Sequence, residues 1–494
     1  MEPEVGATAP GGLPLAGWHG NFFLRDQNDY FRLYPRGRLH LDFHSFFGPG
    51  VNGENGVSAA DDGNSLKNRV FIRRLRLEVA GDIMKRVQWY VSVEFGGQPL
   101  SNSNGKTQTS AASAGKDPSA DSARWAAVQA PSSAAVIADT FINYSICPCL
   151  NFMIGQYNGP ITMENRTGNN TIPWMERNLP IRGFVMPNNK ELGLLAWGEL
   201  GEKNVVYEVG VFAGDGQNRA QVDNAVDVMG RVFARPFAKK GGKGALDKAH
   251  IGVSARHGER DQAFVGYSYP AITTGQGVAL WNPRYNDAQG RRTHVIPSGA
   301  QDLIGGELRL PLSKVELRGE GYYVSNNTRE AVEGYQLTNT ERLGSITGVG
   351  WYVQLSGWPL GDAYVSGDPG FQRPTSVDLS KDLGKPQKGL EVLAIVGGVH
   401  ADYNGASRGG STPDEKTPGA PGVTSRITAM QYGLGATYWY SRNFRASVNY
   451  IVYHTPGSGA ENLASVPGNS SRDAETKDTA HTIHELGTRF GVVF

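Results

Sequence analysis

The chain has 494 residues with 39% hydrophobic side chains, and its 48 basic and 47 acidic residues give a net charge of +1. This balance lacks the basic excess that is typical of nucleic-acid-binding proteins, although a locally basic channel is compatible with it. No segment approaches the roughly 18 consecutive apolar residues of a membrane helix. A membrane-spanning form of this chain would therefore have to be a closed β-barrel.

Polar and apolar residues alternate with a period of two over segments of about ten residues, and each segment is followed by a break. The alternation is strict in Arg38–His44 and is repeated in Arg74–Val79 and Gln88–Phe95. It predicts β-strands with one apolar face, although it does not distinguish a lipid-facing exterior from the core of a soluble sandwich. The predicted strands lie near residues 36–47, 69–80, 87–96, 135–144, 150–158, 191–199, 205–214, 226–237, 250–258, 302–312, 314–324, 346–358, 389–403, 426–440, 444–453 and 480–494.

The connections between these strands alternate in length. Short turns at 81–86, 200–204 and 441–443 alternate with long loops such as 97–134, which is typical of transmembrane barrels with short periplasmic turns and long external loops. The prediction is an all-β, 16-stranded antiparallel transmembrane β-barrel. Two long connections on the short-turn side do not fit the alternation. These connections cover residues 238–249 and 359–388. Either they are real long excursions of the chain, or the predicted strand register is wrong there.

The two ends of the chain fit this interpretation. Residues 1–12 lack the charged start and apolar core of a signal peptide, so the chain is expected to be the mature form. Residues 1–35 are predicted to be an N-terminal periplasmic segment and residues 36–494 the barrel. The last residues alternate from His484 to the terminal Phe494, which resembles the C-terminal signal of bacterial outer-membrane barrels and predicts that location.

The two cysteines flank Pro148 in a Cys147-Pro-Cys149 segment. Two ligands at this spacing would make an incomplete metal site, and the usual redox motif has two intervening residues rather than one. We therefore interpret the segment as a structural turn, oxidised or reduced, and predict neither a metal site nor a cofactor.

From Phe71 to Gly81 the sequence resembles the phosphate- and polyphosphate-selective porins of Gram-negative bacteria. Further similar segments occur in order along the chain, and they include Asp139–Tyr144, Ile154–Tyr157, Trp174–Arg177 and Arg489–Phe494. The resemblance implies a sixteen-stranded barrel, usually a homotrimer, in outer-membrane lipid. It further implies a third external loop that narrows the pore, arginines that draw small anionic solutes through, and no catalysis.

Arginine suits an anion pore because it has a permanent charge and five N–H donors. When the apolar positions face lipid, the arginines between them face the lumen, and an arginine on the lipid face near mid-membrane would cost about 2–4 kcal/mol. Arg73 is ambiguous, since alternation faces it outward although it matches one of the family's paired arginines. As an alternative, each inward arginine pairs with an interior carboxylate such as Glu78, Glu94 or Glu307. The predicted pore-lining, anion-binding residues are Arg38, Arg74, Arg76, Arg231, Arg235 and Arg318, and the same rule turns Arg256, Arg309, Arg445 and Arg489 inward.

Residues 158–190 correspond to the third external loop and are predicted to fold into the lumen as the constriction. The loop residues assigned to it are Arg166, Glu176, Arg177 and Arg182. We favour a structural role for Glu176, as one half of an ion pair with Arg177 that fixes the loop to the wall.

The sequence departs from the family at two positions, with Asn158 in place of a lysine and Ile395 in place of a wall arginine. The predicted function is therefore a passive diffusion porin with anion preference rather than strict phosphate selectivity. Two other classes were considered: an enzyme housed in the barrel, and a barrel scaffold or adhesin whose long loops, 97–134 and 259–300, bind a partner. The sequence contains no Gly-x-Ser-x-Gly nucleophile elbow.

Overall fold

A computed structural model describes the chain over most of its strands. The described residues are 15–47, 68–96, 135–185, 190–219, 221, 223–239, 244–261, 269, 272–276, 279–281, 285–286, 292–332, 343–361, 370–371, 374, 388–405, 424–455 and 482–494. The long loop 97–134 and much of 259–300, the loops of the partner-binding alternative, lie outside the described residues.

Nearly all regular structure is β-strand. The strands are β1 (Ala16–Trp18), β2 (Phe22–Arg25), β3 (Phe31–Phe47), β4 (Arg69–Ile83), β5 (Val87–Glu94), β6 (Val136–Cys147), β7 (Leu150–Asn158), β8 (Lys190–Leu200), β9 (Val205–Phe212), β10 (Asp227–Ala234), β11 (His250–Gly258), β12 (Ile272–Thr273), β13 (Ala279–Trp281), β14 (Tyr285–Asn286), β15 (Arg292–Leu312), β16 (Val315–Val332), β17 (Leu343–Leu360), β18 (Gly389–Asn404), β19 (Thr424–Ser441), β20 (Phe444–His454) and β21 (Thr482–Val493). The helices are α1 (Met163–Arg166), α2 (Leu179–Phe184) and the 3-10 turns Gly201–Lys203 and Ala245–Lys248. No helix among the described residues is both long and apolar enough to cross a membrane.

Sixteen of the strands, β3–β11 and β15–β21, pair antiparallel with their neighbours in chain order. The sheet closes because β21 pairs with β3, with Arg489 opposite Asp42 and Gly491 opposite His40. The predicted strand number and architecture are confirmed. The short strands β1 and β2 extend the sheet beside the first residues of β3, where Leu24 lies opposite Leu33.

The polarity of the barrel is the reverse of that of a soluble protein. Along β4, Leu75 and Leu77 are 36% and 54% exposed on the outside, whereas Arg74 and Arg76 are only 6% and 8% exposed on the inside. Ile251 and Leu434 are exposed on the outside in the same way. An apolar exterior is what a closed barrel needs in lipid, where the strand-to-strand hydrogen bonds already satisfy the backbone.

The two long connections on the short-turn side are real excursions. The strands that they join are adjacent, with β10 paired to β11 and β17 paired to β18. Parts of both connections lie outside the described residues, but Gly370 and Phe371 of the second are described.

Three strand boundaries differ from prediction by five residues or more. The first barrel strand begins at Phe31, five residues before the expected start at 36, and the β15–β16 hairpin extends well beyond 302–324. In β15 the pairing shifts between Pro297 and Gln301, and Gly299 has φ of 84°. A sequence with Pro and Gly indicates a strand end, but here a β-bulge accommodates both and pairing resumes beyond it.

The C-terminal residue closes the barrel next to the first strand. The backbone N–H of Phe494 donates to the Gly37 carbonyl at 2.9 Å, and the Gly37 N–H donates to the Phe494 carbonyl at 2.7 Å. A Cβ at Gly37 would lie 2.4 Å from the Phe494 ring, so any side chain at this position would force the terminal aromatic ring to shift. Phe494 lies at the short-turn end of the barrel.

Candidate functional site: the barrel lumen

Five of the six arginines assigned to the pore point inward and are buried, with exposures of 8% or less. Each of these five is close to a carboxylate, which agrees with the alternative that inward arginines pair with interior carboxylates. Arg38 pairs with Glu78, and the Arg76 Nε donates to Glu94 Oε2 at 2.5 Å. The five inward arginines are Arg38, Arg74, Arg76, Arg231 and Arg318.

Arg231 is the most fully neutralised of these residues. Its Nη2 lies 2.7 Å from Glu307 Oε1 and its Nη1 lies 3.2 Å from Glu208 Oε2. Arg318 shares Glu316 with Arg309, whose Nη2 is 2.8 Å from Glu316 Oε2. Arg231 therefore contributes little net charge at its own position. Arg309 and Arg318 share one carboxylate at close range, and the charge of Glu391 also acts on Arg318.

Arg235, the sixth arginine assigned to the pore, lies apart from the other five. It follows the end of β10 on the short-turn side, where its backbone N–H donates to the Asn204 carbonyl at 2.6 Å. Its Nη1 is 4.0 Å from Glu199, and its guanidinium lies 5.3 Å from the centre of the Phe233 ring. This places Arg235 at the turn-side end of the wall rather than at mid-height.

The ambiguity of Arg73 is resolved by a β-bulge. His40 pairs with Arg74 but Leu41 pairs with Ile72, which leaves Arg73 as the extra residue. Arg73 reaches the loop residue Glu176 through Nε and Nη2, at 2.8 and 2.9 Å. The bulge therefore directs two consecutive arginines to one carboxylate, which strict alternation does not allow.

Glu176 attaches the loop to the wall, but through different arginines from the one expected. Besides Arg73, it accepts from Arg489 Nη2 at 2.8 Å and lies 3.5 Å from Arg74 Nη2. Arg177 instead donates to the loop carbonyls of Glu164 and, at 3.0 Å, Thr167. The expected Glu176–Arg177 pair is thus replaced by contacts to the wall and within the loop.

Loop 158–190 reaches inward-facing side chains on strands from all sides of the barrel. Trp174 Nε1 donates to Gln354 of β17 at 2.9 Å, and the Leu179 N–H donates to Gln431 of β19 at 2.7 Å. The Glu164 N–H donates to Glu320 of β16, also at 2.7 Å. Such a set of contacts requires the loop to cross the interior of the barrel.

The remaining loop arginines take part in this scaffold. Arg166 donates to the Asn158 carbonyl at 2.6 Å and pairs with Glu208. Arg182 donates to the Arg177 carbonyl at 2.8 Å and lies 5.8 Å from the centre of the Tyr453 ring. Both side chains therefore hold the loop in shape as well as placing charge in the lumen.

One sector of the wall has more arginines than carboxylates to neutralise them. Asp42 accepts hydrogen bonds from Arg489 at 2.7 Å through both oxygens. Three further ion pairs join Arg38 to Glu78, Arg76 to Glu94 and Arg73 to Glu176. Arg74 only shares Glu176, and Arg445 donates to the loop carbonyls of Ile172 and Asn169 at 3.2 and 3.1 Å. We define this sector by six inward arginines of β3, β4, β20 and β21, namely Arg38, Arg73, Arg74, Arg76, Arg445 and Arg489. Arg76 also lies 3.6 Å from Asp139 Oδ2, a carboxylate that Lys190 contacts as well.

His40 lies between the two surplus arginines. It is opposite Arg74 on one side and opposite Gly491 on the other, and Gly491 is in turn opposite Arg445. A Cβ at Gly491 would lie 3.4 Å from the His40 ring and 3.3 Å from Arg445 Cγ. Within the described residues, both ring nitrogens of His40 and the Nη1 of Arg74 have no hydrogen-bond partner. These unused groups surround one point of the wall.

Sequence reasoning missed two features of the lumen. Lys190 on β8 lies opposite Asn158 and donates to its side chain at 2.8 Å. A lysine on the neighbouring strand thus reaches the position at which this sequence has Asn158 in place of a lysine. Gly370 reaches in from the turn side, where its carbonyl accepts from Arg231 at 2.5 Å and its N–H donates to Thr167 at 2.8 Å. No local pattern indicates either contact, because both depend on strand register and on a long connection.

One sequence family matches most of the chain. A sequence model of phosphate-selective porin O and P matches residues 38–469, whereas no curated protein matches the chain significantly. The solved structures that are similar to it include the following three. They are a loop L8 deletion mutant of OmpT, an outer membrane protein of Vibrio cholerae (8% identity, 94% of this chain, 100% of that chain, TM-score 0.47), the outer membrane channel DcaP of Acinetobacter baumannii (9%, 95%, 99%, 0.46), and Salmonella typhi OmpF in complex with daunomycin (9%, 95%, 100%, 0.45).

Proposed function

The chain belongs to the phosphate-selective porin O and P family, and on that premise we propose that this outer-membrane porin is a passive channel that prefers small anions. Its solutes are oxyanions of the size and charge of phosphate, and its working form is a homotrimer. Loop 158–190 is the constriction.

The observation that supports anion preference is the surplus of arginine in one sector of the wall. Arg74 and Arg445 have no carboxylate of their own among the described residues, and they stand on either side of His40. Guanidinium groups on a low-dielectric wall concentrate anions near them. An ion that gives up part of its hydration there meets N–H donors in its place, which is how a pore favours one sign of charge.

The paired arginines contribute differently. Arg231 lies between two glutamates, and Arg318 lies beside a glutamate that Arg309 also contacts. The field of Arg231 is largely cancelled within a few ångströms by two glutamates, and that of Arg318 is reduced by Glu316 and Glu391. The proposal therefore assigns selection to the surplus arginines and not to the whole inward set.

The test is the reversal potential of single channels in a salt gradient, with Arg74→Ala and the matched control Arg318→Ala. Each variant removes one positive charge from the barrel interior. We expect Arg74→Ala to lower the anion-to-cation permeability ratio clearly and Arg318→Ala to change it much less. Equal shifts in the two variants, or none in Arg74→Ala at low salt, would contradict the proposed site.

The homotrimer is tested separately, by the mass of the purified porin in detergent. A mass of one chain after mild extraction would argue against it. This outcome is independent of ion preference, because each barrel encloses its own lumen.

A further inference from the structure

A disulfide closes the turn between β6 and β7. Cys147 and Cys149 are joined across Pro148, a sequence separation of 2. The turn lies at the short-turn end of the barrel, which is the periplasmic end in transmembrane barrels of this kind. Cys149 and Pro148 are exposed there, and Cys147 is half-buried. The disulfide is therefore open to reagents in the periplasm.

This disulfide is expected to contribute little to the stability of the folded barrel. A cross-link restricts the unfolded chain more as the loop that it closes becomes longer, and this one encloses a single residue. The hairpin is in any case closed at this point by pairing of Cys147 with Leu150. A structural cross-link would be expected between distant segments, which the barrel does not show at these cysteines.

The turn is held in place by bonds that do not involve sulfur. The Glu199 N–H donates to the Pro148 carbonyl at 2.9 Å, and the Tyr207 hydroxyl donates to the Cys149 carbonyl at 2.8 Å. The Ser145 N–H donates to the Arg86 carbonyl at 2.8 Å on the other side. With β8, β9 and the turn between β4 and β5 holding the backbone, the disulfide can open without loss of the hairpin.

We propose that Cys147–Cys149 is a thiol–disulfide exchange site whose co-reactant is a dithiol, either a small molecule or a protein, in the periplasm. A thiolate of the dithiol attacks the exposed Cys149 Sγ, the Sγ–Sγ bond breaks, and Cys147 leaves as a thiolate. The second thiol of the dithiol then attacks its own sulfur in the mixed disulfide and releases Cys149.

The exchange balances without any further reagent. The dithiol loses two electrons and two protons and becomes a disulfide, while Cys147 and Cys149 gain them and become two thiols. Exposed disulfides are the labile ones in this chemistry, whereas buried structural ones resist reduction. The assignment of Cys149 as the attacked sulfur follows from its greater exposure.

The first experiment uses the folded full-length porin in detergent, with dithiothreitol as the probe. Thiols are counted by mass after alkylation, and folding is followed by the heat-dependent mobility of the barrel. We expect complete reduction without denaturant, reoxidation by oxidised glutathione, and unchanged mobility and conductance. Resistance of the disulfide in the folded barrel, or unfolding on reduction, would overturn the proposal and make the bond a structural cross-link.

The second experiment tests which sulfur reacts. Cys147→Ser leaves only the exposed thiol and Cys149→Ser leaves only the half-buried one. We expect oxidised glutathione to form the mixed disulfide about ten-fold faster with Cys147→Ser, because access governs the rate. Equal rates, or the reverse order, would refute Cys149 as the attacked atom. Conductance is measured on the same samples, so failure of the exchange site is distinguished from failure of the channel.

Discussion

Replacing Glu176 with glutamine should make the channel more anion-preferring. Glu176 is the loop carboxylate on which three wall arginines converge, with Arg73 bidentate at 2.8 and 2.9 Å, Arg489 at 2.8 Å and Arg74 at 3.5 Å. Glutamine keeps the volume and the acceptor oxygen but removes the charge. The loop stays attached, because its backbone also donates to Gln431 of β19 and Asn449 of β20.

The size of the effect follows from the charge count in this sector of the wall. The six arginines share Asp42, Glu78, Glu94 and Glu176, while Asp139 is shared between Arg76 and Lys190. The substitution removes one of these negative charges. At an effective dielectric constant of about 40, an anion about 8 Å from the carboxylate is repelled by about 1 kcal/mol. Removing this repulsion should raise anion partitioning into the constriction about five-fold.

The assay is the reversal potential in a potassium chloride gradient at low ionic strength, where the Debye length is about 30 Å at 0.01 M. The matched control is Glu316→Gln, which removes the same charge beside Arg309 and Arg318 near the turn between β15 and β16. We expect a clear shift toward anions for Glu176→Gln and a small one for the control. A shift toward cations, or no shift in an otherwise open channel, would refute the proposed role of the surplus arginines.

Two further substitutions test the barrel itself. Phe371→Ala should raise single-channel conductance, because the Phe371 ring packs in the lumen 5.6 Å from the Trp197 ring and 6.0 Å from the Phe233 ring; an unchanged conductance would mean that this segment does not obstruct ions. Gly37→Ala should destabilise the folded barrel by about 1–3 kcal/mol through overpacking, since its Cβ would lie 2.4 Å from Phe494. Gly321→Ala, with its nearest contact at 3.8 Å, is the control in urea unfolding, and equal losses in the two variants would contradict the packing argument.

The sequence determined the strand number and the face of most side chains. Alternation is a local property of the extended backbone, because successive side chains point to opposite faces. Lipid outside and water inside then decide which face is apolar, as Leu75 and Leu77 outside and Arg74 and Arg76 inside illustrate. Boundaries were predicted less well where Pro297 and Gly299 indicated an end that the bulge in β15 passes through.

Only the tertiary structure decided which charge each arginine meets. Arg489 and its partner Asp42 are 447 residues apart, and Glu176 reaches the wall from a loop whose path no local pattern defines. The bulge at Arg73 and the placement of Lys190 opposite Asn158 likewise arise from strand register. The net charge at a point in a pore is the small difference between many nearby charges of both signs. Within the described residues of this wall sector, the closing of the barrel and the folding of its loop therefore decided that Arg74 and Arg445 have no carboxylate of their own.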